Sequence, residues 1–162
     1  MATVQITAKN FDETVKKGGI VLLDWWAPWC GPCRAFGPIY ERVAAKHPDV
    51  VFGKVNTQEE PELANQFGIR SIPTLMIFRE ETELFSQPGM LPENVLEDLV
   101  GQAKTVDMAD VRRDSKQFQD DCRKLGVLVG RPFPPLMTHA RISIGTESEM
   151  QRAIEVFRKV LG

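Results

Sequence analysis

The sequence predicts an α/β fold in which helices flank a mixed β-sheet, and three observations support this prediction. Short apolar runs alternate with helical segments along the first part of the chain, a pattern typical of parallel strands joined by helices. Two strand-like runs, 74–78 and 82–86, then follow with only a polar turn between them, which indicates an antiparallel hairpin. The 162 residues are 43% apolar and 26% charged, which is normal for a globular protein with a buried core.

The first elements are a short strand at 4–6 and a helix that Asn10 can cap. Phe11 and Val15 lie four residues apart and give this helix an apolar face. The run 20–26 is short, apolar and rich in β-branched and aromatic residues, so it is predicted to be a buried strand.

A motif of two cysteines, Cys30-Gly31-Pro32-Cys33, follows this strand closely. Residues 34–46 are predicted to be helical, so Cys30 is expected at a helix N-terminus. Unpaired backbone N–H groups there carry a partial positive charge, which favours a thiolate over a thiol. The thiolate is the attacking species in thiol–disulfide exchange. Gly31 leaves the turn unobstructed and Pro32 suits a first helical turn, so the two sulfur atoms stay close together.

The next strand is predicted at 50–55. A helix follows, because Thr57 and Glu60 have the spacing of a capping box and Pro61 falls in the first turn. After the hairpin, a helix at 92–104 would turn four apolar side chains towards the core. These are Val95, Leu96, Leu99 and Val100.

An acidic residue, Asp24, stands in the middle of the buried strand. A carboxylate there is costly unless it has a function or a partner. Burial raises its pKa towards neutrality, where it can exchange protons. Lys54, in the adjacent strand, could pair with it, and a purely structural Asp24–Lys54 ion pair is the alternative hypothesis.

The Cys30–Cys33 motif, Asp24, Lys54 and the segment Ile72-Pro73-Thr74 occur together in the order and approximate spacing of the thioredoxin family. A C-x-x-C motif alone is weak evidence, but this combination closely resembles that family over residues 1–113. The resemblance implies a thioredoxin fold for 1–113, followed by a small α+β extension at 114–162.

The resemblance also implies how the site works. Cys30 would be the attacking thiolate and Cys33 the resolving thiol, with Asp24 taking the Cys33 proton and Lys54 beside it. Gly31 and Pro32 would tune the pair towards reduction.

The expected substrate surface is a flat apolar rim. Pro73 would follow a cis peptide bond, so that Ile72 faces Cys30 and its backbone can pair with an extended substrate strand. Trp29, Gly31 and Gly89 would complete the rim, whereas Trp26 is expected to pack in the core.

The function implied by the resemblance is reduction of protein disulfides by the Cys30–Cys33 dithiol, which a thioredoxin reductase would recharge without any bound cofactor. Two alternatives remain open. The same chemistry serves a disulfide oxidase or isomerase, and the fold can also serve as a non-enzymatic binding module.

The extension contains two segments, 130–135 and 140–146, that resemble the C-terminal end of a pyridoxal-phosphate aminotransferase of the histidinol-phosphate kind. In that family, the arginine at the position of Arg141 holds the substrate carboxylate. The large domain, the Schiff-base lysine and the phosphate cradle are missing here, so no pyridoxal phosphate is expected. A helix at 115–125, two strands and a last helix are predicted without chemistry of their own, and Cys122 is interpreted as a buried apolar residue.

Composition argues against several other functions. The net charge of −2 does not indicate a basic surface that would bind nucleic acid. No apolar run approaches the length of a membrane helix. A structural zinc site needs four paired ligands, but the chain has one cysteine pair and two histidines. No signal peptide is recognisable, and three cysteines with one obvious pair favour a reducing cytoplasm.

Overall fold

A computed structural model of the chain describes residues 2–17 and 19–124. The chain divides into two units, Met1–Val106 and Asp107–Gly162. The elements of the first unit are β1 (Thr3–Ile6), α1 (Phe11–Lys16), β2 (Ile20–Trp26), α2 (Gly31–Lys46), β3 (Val51–Asn56), α3 (Pro61–Gln66), β4 (Thr74–Arg79), β5 (Thr82–Pro88) and α4 (Glu93–Thr105).

The first unit is built on a five-stranded sheet in the order β1-β3-β2-β4-β5. Strands β1, β3 and β2 are parallel to one another, whereas β4 pairs antiparallel with β2 and β5 antiparallel with β4. The predicted mixed sheet flanked by helices is therefore confirmed. The register aligns Asp24 of β2 with Lys54 of β3 on one side and with Leu75 of β4 on the other.

Two apolar layers cover the two faces of the sheet. Because side chains alternate along a strand, Leu22 and Asp24 share one face of β2 and Trp25 lies on the other. Leu22 belongs to the cluster that α2 and α4 form with the sheet, which includes Phe36 and Tyr40. Trp25 belongs to the opposite layer, an aromatic group in which Phe11, Phe67 and Phe78 also meet. Asp24 therefore lies on the face covered by α2.

Two helix starts differ from the sequence predictions. The Asn10 side chain does not cap α1, because its oxygen accepts the N–H of Thr7 at 2.8 Å and its amide donates to the carbonyl of Gln5. The capping box expected before α3 is also wrong. Thr57 donates its hydroxyl to the carbonyl of Trp26, and Glu60 accepts the N–H of Ala8 at 3.1 Å. Both side chains tie neighbouring loops together instead.

The inward face of α4 is narrower than predicted. Leu96 and Val100 are fully buried and Leu99 packs against the same core, but Val95 is 36% exposed. At the end of the helix, the Arg79 guanidinium donates to the carbonyl groups of Ala103 and Lys104 and to that of the C-cap residue Val106.

The described part of the second unit is one helix, α5 (Met108–Lys124). The helix predicted at 115–125 begins earlier, at Met108, and α5 is continuous across residue 113. The proposed boundary between 113 and 114 stays a prediction. The expected strands and last helix of the extension, with the two aminotransferase-like segments, lie outside the described residues.

Within residues 2–17 and 19–124, no helix is long and apolar enough to cross a membrane. The same residues contain no group of three or more His, Cys, Asp or Glu side chains that could hold a metal ion.

Candidate active site

The two cysteines of the motif lie at the junction between β2 and α2, where they form a disulfide bond with their Cα atoms 5.3 Å apart. Cys30 is the N-cap residue of α2 and has an extended backbone, whereas Cys33 is in the first turn. The backbone N–H of Cys33 donates to the Cys30 sulfur atom at 3.2 Å. In the reduced state, this donor and the helix N-terminus would favour a Cys30 thiolate, as the sequence predicts.

Both sulfur-bearing residues are largely covered, with Cys30 5% and Cys33 3% exposed. Trp26 and Ile72 are partly buried and pack against them. The expectation that Trp26 packs rather than lies on the open rim agrees with this position. By contrast, Trp29, one residue before Cys30, is 70% exposed.

The loop before β4 approaches the disulfide from the other side. The Ile72–Pro73 peptide bond is cis, as the resemblance implies, and the Ile72 carbonyl oxygen lies 3.7 Å from the Cys30 sulfur atom. The Gly89 N–H donates to the Pro73 carbonyl at 2.8 Å, and Gly89 has a φ of 101°, which only glycine adopts readily. Ile72 thus lies beside Cys30, and Gly89 is hydrogen-bonded to the residue that follows Ile72.

Asp24 is fully buried, and neither of its carboxyl oxygens has a hydrogen-bond partner among the described residues. Burial raises the pKa of this carboxyl group from 3.8 to about 7, and the nearby positive charge of Lys54 opposes the shift. A carboxyl group with a pKa near neutrality can both accept and release a proton at physiological pH.

Lys54 lies on the same face of the sheet but does not form the ion pair with Asp24 that the sequence suggested as an alternative. Its ammonium group pairs with Glu41 of α2, with 3.7 Å between Nζ and Oε1. It also lies 5.0 Å from the centre of the Trp26 ring, within the range of a cation–π interaction.

Three residues near the site were not predicted from the sequence. Glu41 pairs with Lys54, and Tyr40 donates its buried hydroxyl to the Gly53 carbonyl at 3.0 Å. Met90 follows Gly89 and is 54% exposed. A helical spacing from Cys33 could have placed Tyr40 on the inner face of α2, but nothing in the sequence pairs Glu41 with Lys54.

The profile of the family described as thioredoxin matches residues 2–102 of this chain. The chain belongs to the thioredoxin family. It is a thiol–disulfide oxidoreductase that reduces protein disulfides, and the Cys30–Cys33 pair is its redox-active centre.

Several thioredoxins resemble the chain closely. A protein described as "Putative thioredoxin 2" from Streptomyces coelicolor is 57% identical over 112 residues, which cover 69% of this chain and 84% of the relative. Thioredoxin 1 of Synechococcus elongatus is 45% identical over 93 residues, or 56% of this chain and 87% of that protein. Among solved structures, a mutant form of the thioredoxin from Halobacterium salinarum superposes with a TM-score of 0.60 at 28% identity, covering 65% of this chain and 93% of that one.

The buried carboxyl group should make the stability of this thioredoxin depend on pH. Because the Asp24 pKa is about 7 in the folded chain and 3.8 ordinarily, ionisation of this group opposes folding progressively as the pH rises through that window. The effect is at most about 4 kcal/mol above the folded-state pKa. We therefore expect Asp24→Asn to stabilise the chain at neutral pH and to have little effect below the lower pKa.

Chemical denaturation of the parent and variant across the pH window measures this difference. Asp98→Asn, on the exposed side of α4, is the matched control and should show no growing gap. A stability difference for Asp24→Asn that stays constant with pH would contradict the assignment of the raised pKa to Asp24.

Proposed function

We propose that Cys30 attacks the substrate disulfide and Cys33 resolves the resulting mixed disulfide. The Cys30 thiolate bonds to one substrate sulfur, and the other leaves as a thiolate. Cys33 then loses its proton and attacks the Cys30 sulfur, which releases the second substrate thiolate. The two electrons that reduce the substrate come from the dithiol, which becomes the Cys30–Cys33 disulfide.

One observation carries this division of roles: the Cys33 N–H donates to the Cys30 sulfur at the start of α2. A donor aimed at Cys30 stabilises negative charge on that sulfur atom before it attacks the substrate. The same donor stabilises the Cys30 thiolate when it leaves in the reversal of that first step. Cys33 lies deeper in the first turn and starts the cycle as a thiol in this proposal. Gly31 and Pro32, both exposed, tune the pair by allowing the tight turn between the two sulfur atoms.

We propose that Asp24 accepts the proton that Cys33 loses. A buried carboxyl group without a hydrogen-bond partner among the described residues, and with a pKa of about 7, can take a proton from the resolving thiol and later lose it to solvent. Lys54 opposes the rise of that pKa by its charge, so it sets how basic the acceptor is.

Substrate binding is assigned to Trp29, Ile72, Pro73 and Gly89. The exposed indole of Trp29 offers apolar contact area beside Cys30. Ile72 and Pro73 form the loop whose carbonyl faces the Cys30 sulfur, and Gly89 is hydrogen-bonded to that loop. An extended segment on either side of a substrate disulfide could pair with this backbone.

We further propose that a thioredoxin reductase returns the disulfide to the dithiol in the cytoplasm and that no bound cofactor takes part. Protein disulfides and such a reductase are the partners that the family implies. The chemistry described above balances with the two cysteines and an external reductant alone.

The residues after 113 form a separate extension in this proposal. Every residue assigned a role lies before that point, and the first unit encloses its own apolar core. The extension keeps the resemblance to an aminotransferase fragment without the residues that would bind pyridoxal phosphate.

The two cysteines should fail in different ways when replaced. Cys30→Ser removes the attacking sulfur and should abolish insulin-disulfide reduction, whereas Cys33→Ser should accumulate mixed disulfides that mass spectrometry detects. Cys122→Ser is the matched control and should keep normal turnover. Repeated turnover by Cys33→Ser at the normal rate would show that the assignment of Cys33 is wrong.

Asp24→Asn should slow the resolving step by about a hundredfold, most strongly near neutral pH, because the Cys33 proton then has no acceptor. The decay of a preformed mixed disulfide on Cys30, followed over a range of pH, measures this step alone. If the parent and the variant have the same pH–rate profile, Asp24 is not the proton acceptor.

Residues 114–162 should be dispensable for reduction. Insulin turnover by the full chain, by 1–113 and by 1–106, which ends with the first unit, should be equal within about twofold because all three hold the complete site. An unfolded or inactive 1–113 fragment would contradict the two-part organisation. An absorbance band from pyridoxal phosphate bound to the full chain would contradict the loss of that cofactor site.

A further inference from the structure

Lys54 has an acidic neighbour that the reaction described above does not use. Its ammonium nitrogen lies 3.7 Å from a carboxylate oxygen of Glu41, which is about two turns after Cys33 on the same helix. The ring of Trp26 lies beneath the ammonium group at 5.0 Å. A Cβ atom added to Gly37 would lie 3.8 Å from this nitrogen, so the lysine side chain extends along α2.

The other acidic group on this face is Asp24, which is aligned with Lys54 in the sheet. In the oxidised chain, in which Cys33 does not titrate, the titratable and charged groups that act on Asp24 among the described residues are Lys54 from β3 and Tyr40 from α2. The β4 neighbour of Asp24 is the apolar Leu75. Tyr40 donates its hydroxyl to the Gly53 carbonyl, so it does not donate a hydrogen bond to the Asp24 carboxyl group. Within the described part of the chain, both Asp24 oxygens are left without a hydrogen bond although a lysine is near.

We propose that Glu41 is a positioning residue, whose carboxylate holds the Lys54 ammonium group against the Trp26 ring and away from the Asp24 carboxyl group. Lys54 has two acidic groups nearby, Asp24 and Glu41, and its ammonium group forms an ion pair at 3.7 Å with Glu41. The Lys54 side chain is 20% exposed and that of Glu41 is 59% exposed, so pairing there leaves both groups partly hydrated. Pairing with fully buried Asp24 would require the ammonium group to lose more of its water.

This arrangement has a consequence for the reaction, and it rests on the role proposed for Asp24. A positive charge that moves to within hydrogen-bond distance of Asp24 would stabilise the carboxylate and lower its pKa. Asp24 would then remain ionised at neutral pH and would take the Cys33 proton less readily. Glu41 therefore keeps the proton acceptor basic without contacting it or either sulfur atom.

The test compares four versions of the oxidised full chain: the parent, Glu41→Gln, Lys54→Met, and the double variant. The pKa of Asp24 is measured in each from the carboxyl carbon chemical shift by NMR. The oxidised chain is suitable because neither disulfide-bonded cysteine titrates. Glu62→Gln, on the exposed surface of α3, changes the net charge equally and is the matched control.

Glu41→Gln should lower the Asp24 pKa by about one pH unit, since it releases Lys54 towards Asp24, and Glu62→Gln should leave it unchanged. Lys54→Met should raise the Asp24 pKa. In the Lys54→Met background, adding Glu41→Gln should have no further effect, because Glu41 acts through the lysine. An Asp24 pKa that does not fall in Glu41→Gln overturns the proposal. An equal fall with and without Lys54 also overturns it, because Glu41 would then act directly through its own charge.

Kinetics separate this proposal from the role assigned to Asp24. If the Asp24 pKa falls as expected, the pH profile of mixed-disulfide resolution should move to lower pH by the same amount in Glu41→Gln. A pKa that falls while the resolution profile stays in place would leave the positioning role intact and refute Asp24 as the proton acceptor. A resolution profile that moves without any change in the Asp24 pKa would refute the role of Glu41.

Discussion

The junction between β2 and α2 fixes the positions of both sulfur atoms. The chain leaves the central strand at Trp26 and begins a helix at Gly31 within a few residues. Three backbone hydrogen bonds hold this junction: Cys30 N–H to Ala27, Arg34 N–H to Cys30, and Thr57 N–H to Trp26. Because a strand buried on both sides precedes it, the helix N-terminus cannot move independently of the sheet. Cys30 therefore lies at the N-terminus of α2, next to backbone N–H donors, and it is largely buried but retains some exposed surface.

The electrostatics of the site follow from the same sheet. Parallel pairing of β2 with β3 places Asp24 and Lys54 directly opposite each other on the same face of the sheet. Helix α2 covers that face, so Asp24 loses its water, while Lys54 extends along the helix and keeps part of its own. The difference in burial between the two groups, rather than their separation along the sheet, explains why Asp24 has a raised pKa and Lys54 pairs with a surface glutamate.

The sequence predicted a strand or turn correctly where a single local feature, such as an apolar run or a polar turn, determines it. The apolar run of β2 matches the observed strand, and the turn between β4 and β5 lies where polar residues interrupt two apolar runs. Side chains with several possible partners were predicted less well. Asn10, Thr57 and Glu60 have the right spacing to cap helices, but each finds a partner in a distant or neighbouring loop. Capping is worth about 1 kcal/mol, so another hydrogen bond of similar strength can replace it.

The sequence by itself determined the family, the fold and the chemistry. The Cys30–Cys33 motif, Asp24 and the Ile72-Pro73-Thr74 segment resemble the thioredoxin family in order and spacing, and that resemblance implied all three. Only the tertiary structure decided which group Lys54 pairs with, because Asp24 and Glu41 lie on different elements that the chain order does not bring together. The choice between them depends on how much water each carboxylate retains, and that quantity is set by the packing of α2 on the sheet.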